Sequence, residues 1–130
     1  MNKVKWGVIG AGGIADRRTI PEGIVPAANS ELIAVMDANQ ARGKEVAAKY
    51  GVKRYASEAE FLKDPEIEAV YIATPVIAHV EQAMMAAQNC KHVLCEKPLA
   101  MTMSDCSRVV DACKSSGVKL GLGLMMRFHA

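Results

Sequence analysis

The sequence predicts an open α/β fold: a doubly wound parallel sheet covered by helices on both faces, in three layers. Three observations carry this. Short, nearly unbroken apolar runs recur along the chain; segments of helical period separate them; and the first four runs each end at a residue that stops a strand. Continuous apolar runs suit strands buried on both faces, as in a parallel sheet sandwiched by helices. Regular alternation of strand and helix implies βαβ units with right-handed crossovers.

The expected strands are Val4 to Ile9, stopped by Gly10; Leu32 to Met36, stopped by Asp37; Ala69 to Ala73, stopped by Thr74-Pro75; His92 to Cys95, stopped by Glu96-Lys97-Pro98; and Leu120 to Leu124. Arg54-Tyr55 suggests a short additional strand. Three stripes repeat at i, i+3, i+4, i+7: Gly43, Val46, Ala47, Tyr50; Val80, Ala83, Met84, Ala87; and Cys106, Val109, Val110, Cys113. That spacing puts each set on one face of a helix. Gly51 and Gly117 read as helix stops, and Thr102 or Ser104 as the start of the third. Glu58 to Lys63 reads as a short helix closed by Asp64-Pro65. The helix expected after Gly12 meets Pro21, Gly23 and Pro26, which predicts a short helix and then a loop over residues 21–30 beside the ligand crevice.

Composition narrows the function classes. The 130 residues are 51% hydrophobic and 23% charged, with a net charge of +2 from 16 basic and 14 acidic residues. One domain is expected. No basic stripe offers a footprint for nucleic acid or an anionic membrane. No run is long enough to span a bilayer, and the first residues carry no signal-peptide pattern, so a cytoplasmic location is expected. Cys90, Cys95, Cys106 and Cys113 form no C-x-x-C pair. They read as buried thiols, and no metal site is expected.

The chemistry lies at the strand ends. Gly10-Ala11-Gly12-Gly13-Ile14-Ala15 follows the first apolar run and opens a helical segment. It matches G-x-G-x-x-A. Gly10 permits the tight turn, Gly12 lets the backbone approach a pyrophosphate, and Ala15 lets the helix pack closely on the strand. Phosphates then sit on N–H groups at a helix start. Asp37 lies 22 residues beyond Ala15, at the end of the second run. A carboxylate there accepts the hydroxyls of an adenine ribose and repels the additional phosphate of NADP. Asn39 and Arg42 follow, but the sequence puts no basic residue next to Asp37. NAD is therefore the expected cofactor, ahead of NADP. Asp37 as an ordinary turn residue is the plainer alternative.

Ligands in open α/β sheets bind beyond the carboxyl ends of the strands. Thr74-Pro75 fits a turn along the nicotinamide ribose, with His79 in the helix that follows. Lys97 is the candidate for proton exchange with a substrate hydroxyl. Glu96 would orient Lys97 or contact the nicotinamide ribose; the pair also reads as a solvated ion pair at a sheet edge. His79 and His92 read more simply as structural. Arg127 is a candidate contact for a substrate anion or hydroxyl, or a surface arginine.

Taken together, Gly10 to Ala15, Val35-Met36-Asp37-Ala38, Ile72-Ala73-Thr74-Pro75 with His79, and Lys91 to Ala100 with Glu96-Lys97-Pro98-Leu99-Ala100 resemble the Gfo/Idh/MocA oxidoreductases. The resemblance implies an N-terminal Rossmann domain, with residues 1–124 as its core and 125–130 leading to an α+β substrate domain outside this chain. It implies Lys97 as the catalytic lysine, and Gly10, Gly12, Gly13, Ile14, Asp37, Thr74, Pro75, His79, Glu96 and Lys97 along the cofactor. It also implies a sugar or polyol substrate and a homo-oligomeric parent. Asn89-Cys90-Lys91 departs from the family, which has a glycine before the lysine. The reading is a cofactor domain that binds without turning over; a stand-alone NAD-sensing module is the alternative.

Overall fold

A computed structural model describes residues 2–123. Six strands form one parallel sheet in the order β3-β2-β1-β4-β5-β6: β1 Val4–Ile9, β2 Ser30–Met36, β3 Lys53–Tyr55, β4 Ala69–Ile72, β5 His92–Glu96 and β6 Leu120–Gly123. The helices are a first crossover over Ala11–Ile24, widely wound and kinked at Gly13, where the backbone is not helical, then α1 Gln40–Tyr50, α2 Glu58–Lys63, α3 Val76–Gln88 and α4 Met103–Ser116. Leu124 and Arg127 lie outside the described residues. Among the described residues, no helix is long and apolar enough to cross a membrane.

Strand alternation separates two cores. Val8, Val35 and Tyr71 face the first crossover and α1, packing on Ala11, Ala15, Ile20, Val46 and Ala47. Ile9, Met36, Val70, Ile72 and Cys95 face the other way, against Phe61 and Leu62 of α2, Ala83 and Ala87 of α3, and Val109 and Cys113 of α4. The sheet therefore lies between two helical layers. The winding reverses between β1 and β4, which opens a crevice at their carboxyl ends.

Local chemistry explains most boundaries. The side chains of Asn39, Ser57 and Thr102 cap α1, α2 and α4 by accepting N–H bonds from Arg42, Glu60 and Asp105. Of the two expected starts for α4, Thr102 is therefore the one used. Gly51 and Gly117 end α1 and α4 in the left-handed conformation, which only glycine adopts without steric penalty.

Three expectations change. The first crossover does not stop before Pro21 but runs through it to Ile24. Ile20 is fully buried and Ile24 nearly so, and their burial outweighs the one ladder bond a proline cannot donate. The wide winding closes with the Val25 N–H on the Ile20 carbonyl, five residues back. Second, the buried face of α3 is His79, Gln82, Ala83, Ala86 and Ala87, about a quarter-turn from the predicted stripe. His79 and Gln82 go inward because both find hydrogen-bond partners there. Third, the cysteines are not uniformly buried. Cys95 and Cys113 are, and burial pushes the Cys95 thiol up to about 12, but Cys90 is exposed.

Cys90 is exposed because it occupies a helix terminus. Its N–H donates to the Ala87 carbonyl and the Lys91 N–H to the Ala86 carbonyl. These two bonds define a Schellman ending, whose turning residue is left-handed. Cys90 accordingly has φ +61°, where a glycine is otherwise favoured.

Candidate cofactor site

The strand register aligns the candidate residues on one edge. Ile9 pairs with Met36 and Ile72, and Ile72 with Cys95. The residues that follow these strands, Gly10, Asp37, Thr74 and Lys97, therefore emerge together at the carboxyl edge of the sheet.

Gly10 is wedged into the crevice between β1 and β4. It has φ +82°, and its N–H donates to the Met36 carbonyl. A Cβ here would lie 2.8 Å from the Ala73 carbonyl group. The position thus excludes a side chain by both conformation and contact.

Gly12 sits between two charged groups. Its N–H donates to Asp37 Oδ2 at 2.7 Å, and its carbonyl accepts from Arg42 Nη2 at 2.9 Å. A Cβ on Gly12 would stand 3.0 Å from Asp37 Oδ2 and 3.1 Å from Arg42 Cβ, so a side chain would fill the cradle. Gly13 and Ile14 are exposed at its mouth, with open space beside Gly13. The other oxygen of Asp37 accepts from the Asn39 N–H.

Arg42, which the sequence places only as following Asp37, is brought by the fold to the other flank of Gly12. The first turn of α1 carries it back over the glycine turn. Asp16 holds it there at 3.2 Å, and Glu45 also pairs with it. Asp16 in turn takes Lys49 at 2.9 Å. These cations, Lys49 foremost, hold the Asp16 carboxyl below the usual range.

At the far end, His79 bridges two loops. It is 1% exposed, with Nδ1 2.8 Å from the Pro98 carbonyl and Nε2 2.8 Å from the Thr74 carbonyl. His79 therefore pins the Thr74-Pro75 turn to the segment that follows Lys97. The Thr74 hydroxyl bonds Gln82, which also reaches Glu58. Lys97 and Pro75 are exposed, and the Lys97–Pro98 peptide is cis. Glu96 does not pair with Lys97. Its Oε2 accepts from the Tyr71 hydroxyl at 2.6 Å. His92 accepts the Lys119 N–H at Nδ1 and belongs to the strand framework.

The structure thus gathers Gly10, Gly12, Gly13, Ile14, Asp37, Thr74, Pro75, His79, Glu96 and Lys97 along one edge; Arg127 lies outside the described residues. Sequence reasoning undervalued Arg42 and missed Asp16, Tyr71 and Thr19. A tyrosine inside an otherwise apolar strand was the available signal for Tyr71, because a buried phenol needs a partner.

The cradle of glycines, the acid beyond β2 and the open switch point suit a dinucleotide. Comparison with known proteins agrees. Residues 4–124 match the profile of the GFO_IDH_MocA oxidoreductase family, NAD-binding Rossmann fold. An uncharacterized oxidoreductase of Rhizobium meliloti is 40% identical over 99% of the chain and 39% of its own length. A 1,5-anhydro-D-fructose reductase of Ensifer adhaerens is 40% identical over 95% of the chain and 37% of its own. The crystal structure of KijD10, a 3-ketoreductase from Actinomadura kijaniata in complex with NADP and TDP-benzene, superposes with a TM-score of 0.93 at 28% identity. It covers 98% of this chain and 39% of that one. The chain thus spans about two-fifths of the length of these relatives. Its glycine cradle, strand order and matched span agree: the chain belongs to the Gfo/Idh/MocA oxidoreductase family and carries its NAD(P)-binding Rossmann fold.

Proposed function

We propose that this chain is the cofactor-binding domain of an oxidoreductase that moves hydride between a nicotinamide and a CH–OH carbon of a sugar or polyol. The observation that carries this is the shared edge, with the Gly10–Gly12 cradle and Asp37 at one end and Glu96-Lys97 at the other. In this reading the glycine turn takes the pyrophosphate, Asp37 takes the adenine ribose, and Thr74, Pro75 and Glu96 line the nicotinamide end, with buried His79 bracing the Thr74-Pro75 turn from behind. The bound nicotinamide supplies the hydride chemistry. Lys97, exposed at the end of β5, exchanges a proton with the substrate hydroxyl. Residues beyond this chain complete the pocket, so the domain binds cofactor without turning over.

Asp37 favours NAD by its charge. Arg42, on the opposite flank of Gly12, narrows that preference, because a guanidinium nearby accommodates the additional phosphate of NADP. NAD therefore binds ahead of NADP by a modest factor.

Calorimetric titration of the folded chain with NAD and NADP tests the reading. Binding of both, NAD the tighter, is expected; a folded chain that takes up neither contradicts it. In a protein of the relatives' full length, nicotinamide reduction with a panel of polyols and sugars tests the substrate class. Inertness toward all of them, with cofactor bound, would exclude it.

A further inference from the structure

Tyr71 is placed where an apolar residue would serve a core better. It lies on β4, 1% exposed, and is the sole polar-tipped side chain among the buried residues of its cluster. Burying a phenol stabilises only if its hydroxyl finds partners. Tyr71 has two. It accepts from Thr19 Oγ1 at 3.0 Å and donates to Glu96 Oε2 at 2.6 Å. The second is in the range of a charge-assisted O–H···O⁻ bond. Burial, and then the Glu96 carboxylate, push the Tyr71 hydroxyl well above the usual tyrosine range, so it remains a donor at any working pH.

The opposite side of Glu96 is shaped to match. Gly123 of β6 pairs with Glu96, and a Cβ there would stand 3.0 Å from Glu96 Oε2. The carboxylate thus lies between Tyr71 and a residue with no side chain. Its Oε1 takes no partner among the described residues. Thr19, at the other end of the chain of bonds, sits on the helix that opens at the glycine turn. Three elements distant in sequence, the first crossover, β4 and the end of β5, are thereby tied through the interior.

We propose that Tyr71 is a positioning residue that fixes the Glu96 carboxylate, so that Oε1 presents a ready acceptor to a hydroxyl of the cofactor's nicotinamide ribose. This rests on the cofactor reading above. Its energetic logic is preorganisation: a carboxylate already held costs less to order on binding than one that swings freely. Removing the phenol hydroxyl leaves Glu96 in place but unfixed, and the penalty falls on the nicotinamide half alone.

The experiment titrates the full chain with NAD and with ADP, which shares the adenosine end and lacks the second ribose. Tyr71→Phe is expected to weaken NAD about tenfold and to leave ADP within about twofold. The same substitution in a Glu96→Ala background is expected to change NAD affinity little, because the group it positions is gone. Equal loss of NAD and ADP, no loss of NAD, or an undiminished loss in the Glu96→Ala background would each overturn the proposal. If Tyr71→Phe does not fold, Thr19→Val at a half-buried site carries the test. A smaller loss confined to NAD supports the proposal, and unchanged NAD affinity overturns it. Wild-type chain that binds neither nucleotide overturns the cofactor reading, and this proposal with it; wild-type binding with no effect of Tyr71→Phe overturns this proposal alone.

Discussion

The backbone N–H of Gly12 donates to the carboxylate of Asp37 at 2.7 Å, across 25 residues of sequence. One bond thus ties the glycine turn to the acid at the end of the neighbouring strand and fixes the width of the cradle between them. A methyl group on Gly12 would lie 3.0 Å from Asp37 Oδ2 and 3.1 Å from Arg42 Cβ, inside ordinary contact distance. Gly12→Ala is therefore expected to fold and to lose at least tenfold in NAD affinity, as read by calorimetry beside a circular dichroism melt.

Asp37 and Arg42 flank the same glycine with opposite charges, and their removal should pull cofactor preference in opposite directions. Asp37→Ala is expected to weaken NAD roughly 10- to 100-fold and NADP less, since a charged hydrogen-bond acceptor and a repulsion both disappear. Arg42→Ala is expected to weaken NADP about tenfold with NAD changed less than about threefold. Equal effects of Arg42→Ala on both nucleotides would remove Arg42 from the discrimination.

Cys90 supplies a stability test that is independent of the cofactor. It turns the end of α3 at φ +61°, the conformation that Gly51 and Gly117 take at the ends of α1 and α4. Cys90→Gly relieves the left-handed penalty and gives back some of it through a freer unfolded chain, so a net gain of about 1 kcal/mol is expected. Thermal melting should rise by roughly 3–5 °C. An unchanged or lower midpoint would contradict the strain at this position.

Asp64 should govern part of the acid limb of stability. Burial pushes its carboxyl up, but bonds from Tyr55, the Glu66 N–H and Lys53 outweigh burial and hold it below the usual range. A carboxyl lowered on folding stabilises fully above its unfolded value of about 4, and that contribution is lost as pH falls through the folded value. Asp64→Asn is expected to lose about 1–3 kcal/mol near neutrality. Its stability should also fall less steeply than wild type below about pH 4. Urea titrations at several pH values separate the two effects.

What the sequence made legible is local. The central strands were legible because their carboxyl halves are buried on both faces, which leaves uninterrupted apolar runs such as Ala69 to Ile72. The caps at Thr102, Gly51 and Gly117 were legible because one residue satisfies each helix end. Gly10, Gly12 and Asp37 were legible because the βαβ turn fixes their spacing. Contacts made by folding were not. Arg42 reaches Gly12 only once α1 packs back over the turn. Thr19, Tyr71 and Glu96 meet across separations of 52 and 25 residues, which no local period encodes. Pro21 misled because the burial of Ile20 and Ile24 is a tertiary effect that overrides a local helix-breaking signal.

The central claim is that one dinucleotide lies along the carboxyl edge, from the Gly12–Asp37 cradle to Glu96-Lys97. Backbone amide NMR of the chain, titrated with NAD, tests it most directly. The account predicts saturable shifts at Gly12, Gly13, Ile14, Asp37, Thr74 and Glu96, with Lys5, Glu31 and Glu68 at the opposite edge unmoved. Shifts gathered at that opposite edge, or no saturable shift at Gly12 and Glu96 together, would contradict it.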